Sequence, residues 1–144
     1  MGDRTYYSAR VRKSDLPKFT KIMNQDEEEK TYEEALTCWE EVNEENDLSV
    51  EVGDTQMNYG GCLLSEQAAK AGCVLYGFHC SGGEYGPGGF IGVGGKFYSV
   101  AQDHYGNIVA TLNDDGGVVA GEVENARAYL AAWKVVQKEL EVMP

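Results

Sequence analysis

The chain opens with a regular alternation of apolar and polar side chains. In an extended strand over residues 5–13, one face would carry Thr5, Tyr7, Ala9 and Val11. A period of two residues is typical of a half-buried β-strand. Apolar residues then recur at helical spacing between Leu16 and Met23, after an N-cap at Ser14 or Asp15. We therefore predict a strand followed by a helix.

A second helix is predicted from Thr31 to about Asn46. Thr31 and Glu34 match the T-x-x-E pattern of a capping box, which marks a helix N-terminus. One side of this helix would be apolar, with Ala35, Leu36, Trp39 and Val42. The other side would carry two rows of carboxylates: Glu33, Glu40 and Glu44 in one row, and Glu34, Glu41 and Glu45 beside them. The pattern thus indicates an amphipathic helix with an acidic outer face.

Short strands dominate the middle of the chain. Alternation and β-branched or aromatic composition predict them at residues 48–52, 73–80, 96–102 and 107–112. Residues 90–93 fit a glycine-interrupted strand and a flexible loop equally well. Turn signals stand at Gly53-Asp54 and at Asp103–Gly106. Sequential strands joined by short turns favour antiparallel hairpins.

Two further helices complete the pattern. One is predicted at residues 62–71 and ends at Gly72, where a C-terminal cap belongs. The other is predicted at residues 122–141, with an inner face of Val123, Ala126, Leu130, Trp133 and Leu140. The fold class that follows is α+β, a largely antiparallel sheet of about five strands with helices packed on one face. A ferredoxin-like or related split arrangement fits the first half.

Length and composition predict the number of domains and the cellular compartment. A chain of 144 residues with 42% hydrophobic side chains predicts one domain over residues 1–144 with a core of its own. No apolar run approaches the ~18 residues of a membrane span, and the N-terminal residues have no signal-peptide core. We therefore expect a cytoplasmic protein.

The distribution of charge along the chain says more about possible partners than its length does. Twelve carboxylates and one lysine lie between Asp26 and Glu51, a net charge of −11 out of −12 for the whole chain. Such a balance disfavours direct binding to nucleic acid or to anionic membranes, because like charges repel. It suits a partner that carries a basic groove. A solvated face that only aids solubility is the alternative.

The predicted acidic helix suggests mimicry of a polyanion. Its carboxylates would be about 6 to 11 Å apart, which is of the order of the ~7 Å between phosphates along one extended strand. We expect these side chains to bind a basic protein surface, that of a nucleic-acid-binding enzyme: Glu33, Glu34, Glu40, Glu41, Glu44 and Glu45. The overall organisation, a compact acidic α+β protein without catalytic motifs, resembles the small inhibitors that phages use against restriction or CRISPR enzymes. That resemblance implies a non-enzymatic inhibitor of anti-restriction or anti-CRISPR type.

A glycine-rich segment, residues 81–95, contains eight glycines in fifteen residues. It matches neither the Walker motif, since Phe90 stands where the first glycine belongs, nor the Rossmann motif, since a strand follows it. Tight turns and bulges that require glycine explain it structurally. The functional alternative is a protein that binds or sequesters a small ligand such as a nucleotide, with this segment and its flank as the pocket: Glu84, Tyr85, Phe90, Lys96 and Tyr98.

Cysteines and histidines offer no clear chemistry. The four cysteines, Cys38, Cys62, Cys73 and Cys80, are irregularly spaced and contain no C-x-x-C pair, so we expect reduced thiols rather than a metal site. A cysteine-dependent enzyme is conceivable if His104 approaches Cys62 or Cys80 in space, but no local signature supports that pairing. We therefore predict no catalytic residue, no metal and no cofactor.

Overall fold

Six antiparallel strands form one sheet, and helices lie on both of its faces. A computed structural model of the protein describes residues 4–58, 61–82 and 86–140. In chain order its elements are β1 (Arg4–Arg12), α1 (Leu16–Met23), α2 (Tyr32–Leu36), β2 (Glu41–Asn43), β3 (Ser49–Asn58), α3 (Cys62–Lys70), β4 (Leu75–His79), β5 (Gly88–Val93), β6 (Lys96–Ala101) and α4 (Ala120–Leu140). The predicted α+β class is confirmed.

The strand order is β2-β3-β1-β4-β5-β6, and every neighbouring pair is antiparallel. β1 therefore separates β3 from β4, and β3 separates β1 from β2. This is the split β-α-β arrangement expected for the first half, with α1 and α2 in one crossover and α3 in the other. The hairpin of β5 and β6 extends the sheet beyond it.

One face of the sheet packs against α1, α2 and α3. Its core centres on Tyr7, which is fully buried and stacks on Trp39 and Phe90 at ring-centroid distances of 6.3 and 5.2 Å. The Tyr7 hydroxyl lies 2.7 Å from the Ser65 hydroxyl of α3, which satisfies both buried polar groups. This hydrogen bond ties the central strand to the helix that covers it.

The opposite face packs against α4, which differs from the expectation of helices on one face. Phe90 and Ile91 are neighbours on β5, yet they belong to separate cores on the two sides of the sheet. Both sides of β5 are apolar, so both need a cover, and only the long C-terminal helix remains to provide the second one. Its buried stripe is Tyr129, Ala132, Val136 and Leu140. The predicted inner face is confirmed at Leu140, and Trp133 packs partly buried against the same core, but Leu130 is 49% exposed.

The predicted helix from Thr31 to Asn46 is wrong beyond its first turn. The capping box of Thr31 and Glu34 forms as expected, but α2 ends at Leu36. Glu41 to Asn43 instead form β2, which pairs with β3 at the edge of the sheet. Like charges four residues apart, as at Glu40 and Glu44, disfavour a helix, whereas strand pairing supplies hydrogen bonds to a distant segment.

Two smaller expectations also fail. Residues 107–112 make only isolated bridges, Gln102 with Ile108 and Leu112 with Val118, instead of a strand. Leu112 is 63% exposed, so this segment has no buried apolar face to hold it in a sheet. Gly53-Asp54 lies inside the long strand β3 rather than in a turn. The turn at Asp103–Gly106 is confirmed, with the Gly106 N–H donating to the Asp103 carbonyl at 3.2 Å. Within the described ranges, no helix combines the length and the apolarity needed to cross a bilayer.

Candidate functional site

The twelve carboxylates between Asp26 and Glu51 gather along the β2 side of the protein, and we call them the acidic edge. β2 is the outermost strand on this side of the sheet. α2 packs on α1 beside it, and the Tyr32 hydroxyl donates to the Glu44 carboxylate at 2.9 Å, which joins α2 to the segment that follows β2. The acidic loop at 26–30 lines one concavity together with Glu34. The acidic edge is therefore one continuous surface.

Most of the acidic edge has no compensating charge. Asp26 pairs with Lys30 at 3.0 Å and Glu51 with Arg10 at 3.6 Å, and both carboxylates are half-buried. The other ten carboxylates are exposed, and none of them forms an ion pair with any residue in the described ranges. The negative potential of this surface is therefore left for solvent or a partner to balance.

The six glutamates predicted as partner-binding residues all lie on the acidic edge, but not on one helix. Glu33 and Glu34 are in α2, Glu41 is in β2, and the others flank that strand. Their spacing is therefore set by the turn after α2 and by strand geometry. The comparison with phosphates at helical rise no longer applies to them.

Neighbouring donors hold several of these carboxylates in place. Glu40 accepts from the hydroxyl of Thr55 on β3 at 2.8 Å, and Glu41 accepts from the hydroxyl of Tyr6 on β1 at 3.0 Å. Burial, together with the hydrogen bond to Glu41, raises the pKa of Tyr6. Burial and the hydrogen bond to Glu44 likewise raise the pKa of Tyr32 to about 12. Both phenols therefore remain protonated donors near neutral pH, and they fix the direction of their carboxylates.

The alternative ligand site predicted from the glycine-rich segment does not assemble as expected. Phe90 is buried in the core beneath α1–α3, with 1% of its surface exposed. Tyr98 pairs with Ile91, so it lies on the opposite, α4 side of the sheet, and Lys96 is exposed at the end of the β5–β6 hairpin. Glu84 and Tyr85 lie outside the described residues. Among the described members, therefore, no common pocket is formed.

A different cavity lies between β4, α4 and the turn after β6, and we call it the aromatic cleft. Its volume is about 560 Å³, which is within the range of about 300–1,000 Å³ for small-molecule sites. Its apolar wall consists of Tyr76, Phe78, Ile108, Tyr129, Leu130 and Trp133. Tyr76 and Trp133 meet edge to face, with ring centroids 4.7 Å apart and planes at 76°.

Sequence reasoning missed the aromatic cleft, although its parts left a signal. Tyr76 and Phe78 alternate on one face of a predicted strand, and Tyr129 and Trp133 are four residues apart on a predicted helix. Each pair by itself indicates only ordinary packing in a hydrophobic core. Only the docking of α4 on the second face of the sheet brings the two pairs together.

One cysteine, Cys80, lines the aromatic cleft together with His79 and His104, and the other three cysteines do not line it. Cys73 is buried, and burial raises the pKa of its thiol to about 12; burial also raises the pKa of Cys62. Cys80 is exposed, and the Nδ1 atom of its neighbour His79 lies 3.0 Å from the Cys80 carbonyl oxygen. Across the described ranges, no group of three or more His, Cys, Asp or Glu side chains is arranged to hold a metal ion.

Comparison with known proteins identified no relative. No protein-family model, no curated protein and no solved structure is detectably similar to this chain.

Proposed function

We propose that this protein is a non-enzymatic binding protein whose acidic edge occupies a basic surface on a protein partner. One observation supports it above the others: ten exposed carboxylates lie along one side of the protein without an ion pair to any described residue. A face that only aided solubility would have both signs of charge interspersed. Here the negative charge is concentrated, so its potential favours a cationic partner.

The orientation of the carboxylates supports the same proposal. Thr55 and Tyr6 hold Glu40 and Glu41 from strands β3 and β1, which are paired along most of their length. Charges fixed on a rigid sheet lose less side-chain freedom on binding than charges on mobile loops. The part of the acidic edge around β2 is therefore the expected centre of the contact.

The partner class proposed is a nucleic-acid-binding enzyme, because such enzymes carry continuous Lys and Arg grooves. A protein bound there by its acidic edge would exclude the nucleic acid and inhibit the enzyme, as phage inhibitors do to restriction or CRISPR enzymes. Recognition would rest on the overall potential, since the phosphate-like helical row does not form. Affinity should then fall steeply as salt rises from about 50 mM to about 200 mM.

A matched pair of variants separates the acidic edge from net charge. The edge variant carries Glu28→Gln, Glu33→Gln and Glu45→Gln, at exposed side chains that make no hydrogen bond or ion pair within the described residues. The control variant carries Glu66→Gln, Asp114→Asn and Glu124→Gln, which lie on α3, on the loop before α4 and on α4. Both variants lose three negative charges, and neither change touches the core.

The test is capture of partners from a bacterial lysate on immobilised protein, followed by elution with duplex DNA. We expect the native chain and the control variant to retain the same nucleic-acid-binding protein at low salt, and DNA to release it. The edge variant should retain much less. Equal retention by the two variants would show that the acidic edge is not the contact. Retention that DNA does not reverse would show that the partner is not held through its nucleic-acid groove.

A further inference from the structure

The aromatic cleft has features that the proposed contact at the acidic edge does not use. It lies over β4 and the turn after β6, and strands β1 and β3 separate it from β2 at the sheet edge. Two of its wall residues, Phe78 and Leu130, are large apolar side chains that remain 44% and 49% exposed. Packing alone does not account for apolar side chains that border an open cavity.

The floor of the aromatic cleft carries a hydroxyl that no described residue binds. Tyr129 is only 8% exposed, yet its hydroxyl makes no hydrogen bond to any residue in the described part of the chain. It reaches over the sheet at Gly89: a Cβ atom built there would lie 2.8 Å from the Tyr129 hydroxyl and 2.5 Å from the side-chain amide nitrogen of Gln102. The hydroxyl oxygen itself keeps contact with solvent, since Arg10 Nε is the one fully buried side-chain N or O atom without a partner among the described residues, so water or a ligand in the cleft can reach it.

The Gln102 amide stands beside that hydroxyl and is also without a side-chain hydrogen bond among the described residues. The two groups offer both donors and an acceptor at one end of an apolar, aromatic cavity. Gly89 makes this arrangement possible, since any side chain at this position would collide with both groups. The floor is therefore shaped for the polar edge of a flat molecule.

The charges around the aromatic cleft indicate what it excludes. No Lys or Arg is among the described residues that line it, and its ionisable side chains include one carboxylate, Asp103, and two imidazoles, His79 and His104. The Asp103 carboxylate already accepts from the backbone N–H groups of Tyr105 and Asn107, both at 2.9 Å. With a chain charge of −12 and no Lys or Arg in the described lining, a phosphate group would meet no permanent positive charge here.

We infer that the aromatic cleft binds an uncharged nucleobase or nucleoside, with the base against Tyr76, Phe78 and Trp133 and its polar edge on Tyr129 and Gln102. Aromatic side chains hold bases by stacking, and a glutamine amide reads a base edge that presents a donor next to an acceptor. This differs from the nucleotide expected at the glycine-rich segment both in its position and in its lack of phosphate.

The test uses the whole chain and a panel of purine and pyrimidine bases, their nucleosides and the matching 5′-monophosphates. Calorimetry should find at least one base or nucleoside that binds, and its monophosphate should bind about tenfold or more weakly. The two tryptophans give separate indole N–H signals in NMR spectra, so the ligand should shift that of Trp133 and leave that of buried Trp39. The inference is overturned if no base or nucleoside binds, or if the monophosphates bind as tightly.

Matched variants locate the contact. Tyr129→Phe removes only the hydroxyl and should weaken binding about tenfold. Tyr98→Phe makes the same change at a half-buried tyrosine on the same face but outside the cleft, and should leave affinity unchanged. Leu130→Lys places a cation at the exposed wall and should restore binding of the monophosphate. Equal affinities for Tyr129→Phe and Tyr98→Phe would overturn the assignment of the floor.

Discussion

Trp39 donates a hydrogen bond from its indole nitrogen to the hydroxyl of Thr20, 3.1 Å away, and both side chains are buried. Trp39 also stacks on Phe19 of α1, with ring centroids 5.6 Å apart. These contacts anchor the segment between α2 and β2 to the body of the protein. The acidic edge is thus held from beneath by one aromatic residue in its middle.

The Trp39–Thr20 hydrogen bond should be measurable as a coupling energy. Thr20→Val leaves the indole N–H buried without an acceptor, and we expect it to lower the free energy of unfolding by about 1–3 kcal/mol. In the double variant with Trp39→Phe, that penalty disappears because the donor is gone. Urea unfolding of the two single variants and the double variant should give a coupling of about 1 kcal/mol. Simple additivity would mean that the hydrogen bond contributes nothing.

Cys73 should make stability depend on pH in the alkaline range. Burial raises the pKa of its thiol to about 12, whereas an unfolded thiol titrates near 8.5. Between about pH 8.5 and pH 12 the unfolded chain therefore binds fewer protons than the folded chain, so the free energy of unfolding falls as pH rises. We expect this group to contribute a slope of up to about 1.4 kcal/mol per pH unit, and the slope vanishes below about pH 7.

The check is urea unfolding between about pH 8 and pH 9, below most of the range in which tyrosines titrate, near pH 10. Cys73→Ala should flatten the decline seen in the native chain, whatever the variant costs in stability at neutral pH. Cys80→Ala serves as the matched control, because Cys80 is exposed. If Cys73→Ala and the native chain decline with equal slopes, this thiol is not the source.

Gly92 should not tolerate a side chain. A Cβ atom at this position of β5 would lie 2.6 Å from the Cβ of Ala69 on α3, so strand and helix would have to separate. We expect Gly92→Ala to destabilise the protein by about 1–3 kcal/mol, with part of the loss recovered in the double variant with Ala69→Gly. Gly86→Ala, in open space within the same glycine-rich segment, should be neutral or slightly stabilising. Thermal unfolding of the three variants decides this, and equal effects at Gly92 and Gly86 would refute the packing argument.

The capping box should be visible as a lowered pKa of Glu34. The Thr31 backbone N–H donates to the Glu34 carboxylate at 3.1 Å, and this bond, together with the Thr31 side chain, lowers its pKa. Because the folded value is depressed, this contribution to stability is present above the ordinary pKa near 4.3 and is lost as pH falls through the folded value. NMR titration should show the pKa of Glu34 rising part of the way towards 4.3 in Thr31→Ala, which removes the hydroxyl but keeps the backbone N–H of residue 31. An unchanged value would mean that the Thr31 hydroxyl does not act on Glu34.

The sequence predicted those elements whose signals are short-range. The alternation at residues 5–13, the capping box at Thr31 and the positive-φ glycine that follows α3, Gly72, all came out as expected. Each depends on contacts within a few residues, which composition and spacing report directly. The acidic character of residues 26–51 was equally plain, since charge is a property of composition.

Tertiary structure decided what happens to Glu41–Asn43 and where α4 lies. β2 exists because it pairs with β3, and α4 crosses to the second face because Ile91 and Val100 need a cover there. Both outcomes depend on burial and hydrogen bonds between residues far apart in the chain, which local periodicity does not contain. The sequence therefore predicted the negative charge of the acidic edge but not the spatial arrangement of its carboxylates. The aromatic cleft is formed by β4 and α4, so it requires the packing of α4 on the second face of the sheet.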